Sequence, residues 1–140
     1  MSTTTITVAA EAMPDELAAI GDGLAAFNQA DVGPSGRLAV TVLARDETNA
    51  IVGGISGYTA WGWLYVQWLW IAEALRGQGM AGQMLEAAET EARKRGCHAA
   101  YIDTFNPVAL KVYQKQGYLT FGELANFPPG RTRTFLQKPL

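Results

Sequence analysis

The chain has 140 residues, 49% of them hydrophobic, and a formal net charge of -2. That length suits one domain with a single sizeable core over residues 1–140 and leaves no room for a second. The slightly acidic balance lacks the basic footprint with which duplex binders neutralise phosphates, which argues against nucleic acid as a partner.

The first twelve residues lack a basic opening followed by an apolar core, and no stretch approaches the roughly 18 apolar residues of a membrane span. The expectation is a soluble cytoplasmic protein with no membrane partner. The single cysteine, Cys97, excludes an intrachain disulfide and leaves no thiolate cluster for zinc, so no metal is expected.

Residues 4–9 are β-branched and apolar by turns and predict a strand. Met13-Pro14-Asp15-Glu16 then opens an alanine-rich helix to about Ala30, with leucine and isoleucine at helical intervals. Asp31-Val32-Gly33-Pro34-Ser35-Gly36 has the composition of a loop. Residues 37–44 and 50–58 predict two strands joined by the polar turn Asp46-Glu47-Thr48-Asn49, and the simplest reading is a hairpin.

Residues 61–71 form the most apolar stretch and carry aromatic and aliphatic side chains on both alternating faces, as expected of a mid-sheet strand covered on each side. Met80, Met84, Ala88 and Ala92 then recur every four residues. Arg93-Lys94-Arg95 and Gly96 follow, which closes a helix over roughly 79–95. Residues 99–104 read as a strand parallel to the 61–71 strand, because one helix separates them. Asn106 caps a further helix with Pro107 in its first position and Gly117 past its end. Residues 118–124 and 131–136 make a last strand pair.

Between the 61–71 strand and the following helix lies Arg76-Gly77-Gln78-Gly79-Met80-Ala81. Unpaired amides and the positive helix end make this a place for a phosphate or diphosphate. Gly77 and Gly79 let the backbone approach a ligand and adopt dihedrals closed to other residues, and Arg76 adds charge. Residues 77–82 also fit a dinucleotide fingerprint with Asp103 about 20 residues on. Ala72-Glu73-Ala74-Leu75-Arg76 intervenes before the first glycine, however, and too few strand-helix units follow to complete such a domain.

The loop resembles the signature of the GNAT superfamily of acyl-CoA-dependent N-acyltransferases: glutamine or arginine, two variable residues, glycine, one variable residue, then glycine or alanine. Arg76, Gly79 and Ala81 fill those places. A second element, residues 106–118, is similar to the family's asparagine, alanine, tyrosine and glycine-aromatic series through Asn106, Ala109, Tyr113, Gly117 and Tyr118. With Leu69-Trp70-Ile71 ahead of the loop, the resemblance extends from about Trp61 to the C-terminus.

The resemblance implies a GNAT-like α/β fold: a mostly antiparallel mixed sheet, flanked by helices, in which two parallel strands splay apart near Ile71 and Thr104. It implies acetyl-CoA as cosubstrate, with its pantetheine held by backbone groups at Leu69, Trp70 and Ile71. The diphosphate would rest on the amides of Arg76, Gly77, Gln78, Gly79, Met80 and Ala81. Asn106 either hydrogen-bonds the coenzyme or caps its helix. Tyr113 is the expected proton donor to the leaving thiolate, the competing reading being an ordinary core aromatic. The family often places a glutamate on the strand before the loop as proton acceptor, and Tyr65 stands at about that position. Proton removal through ordered water is therefore the preferred reading, with Glu73, Asp103 and Glu123 as carboxylate candidates. His98 and Cys97 read as a strand-edge residue and a small buried filler.

The expected activity is acetyl transfer to a primary amine of a small molecule or peptide. The alternative is a non-catalytic acyl-CoA-binding regulatory domain of the same fold. A homodimer is compatible with the family. The acceptor's identity is expected to lie in residues 30–37, the first helix and the 127–131 turn.

Overall fold

A computed structural model of the chain describes residues 3–140. The chain falls into two compact units, with the boundary in sequence between Ser35 and Gly36.

The first unit is built on one helix, α1 (Pro14–Val32). Pro14 occupies its first turn, and the Glu16 carboxylate accepts from the Met13 amide at 2.8 Å, which satisfies a donor that the helix cannot. Gly33, with φ of 88°, ends it and donates to the Gln29 carbonyl. The helix thus runs through Asp31 and Val32, two residues assigned to the loop on composition. Residues 4–9 form no strand, contrary to the sequence expectation. Ile6 and Val8 are 91% and 98% exposed: a β-branched run becomes a strand only where a ladder partner accepts its hydrogen bonds.

The second unit is a six-stranded sheet in the order β1-β2-β3-β4-β6-β5, with two helices. The strands are β1 (Leu38–Arg45), β2 (Ile51–Ala60), β3 (Trp63–Ile71), β4 (Ala99–Thr104), β5 (Leu119–Ala125) and β6 (Thr132–Pro139). The helices are α2 (Met80–Lys94) and α3 (Pro107–Lys115). All strand pairs are antiparallel except β3 with β4. Trp61 and Gly62, both at positive φ, make the tight turn between β2 and β3, so β3 starts two residues later than its apolar run suggests.

Alternate residues of each strand share a face, and one face carries the core. Val40, Ile55, Leu64, Val66, Ala100, Ile102 and Leu136 pack there against Met84, Leu85, Ala88 and Ala92 of α2 and Tyr113 of α3. Glu89 of α2 is fully buried among them. Its carboxylate accepts from the Tyr118 hydroxyl at 2.9 Å and from the Lys138 ammonium, so it ties α2 to β6.

One rung of the sheet is irregular. Ser56 pairs with Trp68 and Gly57 with Val66, so Gln67 has no partner on β2 and forms a bulge in β3. The extra residue reverses the alternation: Leu64 and Val66 face the core before it, Leu69 and Ile71 after it. A Cβ on Gly57 would lie 2.0 Å from the Tyr65 carbonyl oxygen. Gly57→Ala is therefore expected to lower stability by about 2 kcal/mol or more through forced displacement of the bulge, read as a lower urea midpoint at unchanged slope.

Candidate active site

The bulge stands where the sheet comes apart. β3 and β4 pair over four rungs, Trp63↔Ala99, Leu64↔Ala100, Tyr65↔Tyr101 and Val66↔Ile102. Beyond them β3 continues through Ile71 and β4 through Thr104 without pairing to each other. The β3 edge from Gln67 to Ile71 consequently turns main-chain donors and acceptors toward a gap, a surface that accepts an extended ligand as an added strand. Leu69 and Ile71 are half-buried, whereas Trp68 and Trp70 are 68% and 53% exposed. The expected cover on both faces of this strand is therefore absent along its second half. The bulge puts both rings on the face away from α2.

At the end of β3 the chain passes a short 3-10 turn, Glu73–Leu75, and enters the glycine loop. Gly77 and Gly79 have φ of 77° and 79°, left-handed values that favour glycine, and residues 77–79 are exposed. The first intrahelical bond of α2 runs from the Gln83 amide to the Gly79 carbonyl, so the amides of Met80, Ala81 and Gly82 precede it and have no intrahelical acceptor. The Arg76 Nε donates to the Ile71 carbonyl at 3.0 Å, which latches the loop to the strand end. Gln78 Nε2 donates to the Ala74 carbonyl at 3.3 Å.

Across the gap, β4 leads into α3. The Asn106 Oδ1 accepts from the amides of Val108 at 2.8 Å and Ala109 at 3.1 Å, so the helix cap is formed as the sequence suggested. Two turns on, Tyr113 is 5% exposed and meets Tyr118 edge-on. Burial, and then the negative charge of Asp103, pushes its phenol up to about 12. A cavity of about 210 Å³ lies between the β4 end, the α3 start and the β5–β6 turn, lined by Thr104, Asn106, Leu110, Arg131 and Thr134 among others.

Of the three carboxylates singled out in the sequence, Glu73 and Glu123 are exposed on the loop and on β5. Asp103 alone stands at the gap, as the first β4 residue past the last rung shared with β3. It receives Arg133 at 2.6 Å and the Tyr65 hydroxyl at 3.2 Å. Sequence reading missed the Asp103–Arg133 pair. Its only signal was an arginine within the closing strand, thirty residues from its partner. Cys97 is buried, and His98 is exposed at the start of β4, edge-on to Trp63.

Among the described residues, no helix is long and apolar enough to cross a membrane. Residues 10–118 match the model of the acetyltransferase (GNAT) family. The chain is 48% identical to acetyltransferase Atu2258 of Agrobacterium fabrum over 86% of its own length and 88% of that protein's. It is 34% identical to the blasticidin-S acetyltransferase of Streptomyces morookaense over 67% of this chain and 70% of that one. A crystal structure from Agrobacterium tumefaciens superposes with a TM-score of 0.92 at 42% identity, covering 98% of this chain and all of the other. A splayed parallel pair, a glycine loop with free helix-start amides, a capped α3 and a match spanning most of the length agree: the chain belongs to the GNAT acetyltransferase family.

Proposed function

We propose that residues 1–140 act as one N-acetyltransferase domain that moves an acetyl group from acetyl-CoA to the primary amine of a small molecule or peptide, within a ternary complex. The observation that carries this reading is the β3–β4 ladder, which stops at Val66↔Ile102 while both strands run on toward the amide-lined turn. The residues present fit the coenzyme. The free β3 edge at Leu69, Trp70 and Ile71 matches the amides of its pantetheine arm. The helix-start amides, including those of Met80 and Ala81, match a diphosphate, with Arg76, Gly77, Gln78 and Gly79 shaping the turn. The small-molecule side of the acceptor class is supported by the blasticidin-S acetyltransferase among the relatives.

Bound acetyl-CoA supplies an activated thioester carbonyl, and the chain's residues orient it and handle protons. The amine nitrogen bonds to the carbonyl carbon as the carbon–sulfur bond breaks. The ammonium first loses a proton to ordered water, as β3 carries no carboxylate at Tyr65. Tyr113 delivers a proton to the departing sulfur, and the surplus proton that the nitrogen carries after attack passes through water to restore the phenol. Incubating the protein with acetyl-CoA and a panel of primary amines while following free thiol tests the reading. Thiol release that depends on the amine supports it. A melting temperature raised by coenzyme with no thiol released would instead identify a non-catalytic acyl-CoA binder.

The pH profile is a separate expectation. Tyr113 acts in its protonated form, and because its phenol is raised to about 12 that form persists through the alkaline range. The attacking amine must be neutral, so kcat/KM is expected to climb with pH toward an amine pKa of roughly 10.4 for a lysine-like acceptor. Rate measurements from pH 6 to 10 check this. A falling limb between pH 8 and 10 that Tyr113→Phe abolishes would keep Tyr113 as the acid and overturn its raised pKa, whereas a falling limb that survives the substitution would belong to another group.

A further inference from the structure

The sheet face opposite α2 and α3 carries an aromatic floor that ends at the gap. Register places Tyr58, Tyr65 and Tyr101 in one row across β2, β3 and β4. Tyr65 and Tyr101 are stacked, with centroids 4.5 Å apart and planes 8° from parallel, while Tyr58 meets Tyr65 edge-on at 5.6 Å. Trp63 meets Tyr101 edge-on at 6.1 Å. All four residues are half-buried.

Asp103 lies two residues beyond Tyr101, at the mouth of the gap. Both Arg133 contacts, from Nε at 2.7 Å and from its terminal nitrogen at 2.6 Å, go to Oδ2. Among the described residues Oδ1 receives the Tyr65 hydroxyl alone, at 3.2 Å, long for a bond to a carboxylate. An ionised carboxylate offers about four lone-pair sites, so Oδ1 has acceptor capacity to spare. Arg133 is itself held over the Phe127 and Phe135 rings at 4.7 and 5.4 Å, which fixes the carboxylate it grips.

We propose that Asp103 is the residue that seats the acceptor's ammonium, through Oδ1, and that the acceptor is a cationic primary amine with a flat, unsaturated body lying along the Tyr65–Tyr101 floor. This rests on the acyl-transfer reading and names the substrate class of that site. Arg133 is the positioning residue. A bare carboxylate would hold the amine in its charged, unreactive form, because a neighbouring negative charge raises an ammonium's pKa. The guanidinium offsets that field while leaving the Oδ1 lone pairs to orient the N–H. Asp103 also perturbs Tyr113, so its carboxylate lies within electrostatic reach of the proposed proton donor. The stacked rings turn their faces to each other and their edges outward, so a flat unsaturated body laid on them meets them face to edge, an attraction that aliphatic amines lack.

The test uses the full chain with coenzyme A present and four probe amines: tyramine, tryptamine, agmatine and spermidine. Calorimetry is expected to show tyramine and tryptamine binding more tightly than spermidine, and Asp103→Asn weakening both at least tenfold with coenzyme affinity unchanged. In turnover the same variant raises KM for the amine more than it lowers kcat. Arg133→Met is expected to move the kcat profile, which reports the bound amine, to higher pH, a shift that a purely structural role would not produce. Tyr101→Leu, the second variant should Asp103→Asn fail to fold, is expected to weaken tyramine more than spermidine. Equal binding of tyramine by wild type and Asp103→Asn, or no binding of any probe to the wild type, overturns the proposal. Binding without thiol release from the wild type would leave the ammonium seat standing and overturn the transfer reading instead.

Discussion

Replacing Glu89 by alanine is expected to destabilise the protein by about 3 kcal/mol, the cost of breaking a buried ion pair from one side. Glu89 has no solvent exposure, and its two oxygens answer the Tyr118 hydroxyl and the Lys138 ammonium, the latter with only 15% of its side chain exposed. Removing the carboxylate strands a cation against the Tyr118 ring and leaves a phenol without its acceptor. Equilibrium urea unfolding reads the loss. Lys138→Met in the same chain is expected to restore at least about half of it, because removing both charges costs far less than removing one. A single variant as stable as wild type would show that the triad contributes nothing net.

Tyr113→Phe is expected to lower kcat about a hundredfold while coenzyme affinity stays within about twofold, the size of effect that one general acid contributes. The ring is buried in the core, and phenylalanine keeps its volume and its edge contact with Tyr118, so stability should hardly change. The raised phenol makes the proton less readily given than an ordinary tyrosine's, which bears on the size of the effect and not on its direction. Turnover unaffected by the substitution would remove Tyr113 from the chemistry and leave it a core aromatic.

What was legible in the sequence was local. Glycines at 77 and 79 announce left-handed backbone, Asn106-Pro107 announces a cap, and the four-residue rhythm from Met80 to Ala92 announces the buried stripe of α2. Each depends on neighbours a turn away. The features that escaped are pairings between distant strands and helices. Glu89 follows Ala88 on a helix rich in charge and reads as solvated, since nothing nearby in the chain reveals that Lys138, 49 residues on, arrives beside it. The Gln67 bulge is hidden because residues 63–71 are apolar on both faces, so a reversal of phase leaves no mark on the pattern. The N-terminal strand was misread for the converse reason: residues 4–9 have the composition of a strand but make no ladder.

All four tryptophans of the chain fall between positions 61 and 70, on β3 and the turn that feeds it. Intrinsic emission is therefore a local gauge, blind to α1, α3 and the β5–β6 hairpin except through what they do to this strand. A ligand entering the gap beside Trp68 and Trp70 should alter the emission without any change in global structure. Unfolding followed at these fluorophores has to be matched by far-ultraviolet dichroism before a single midpoint is assigned to the whole molecule.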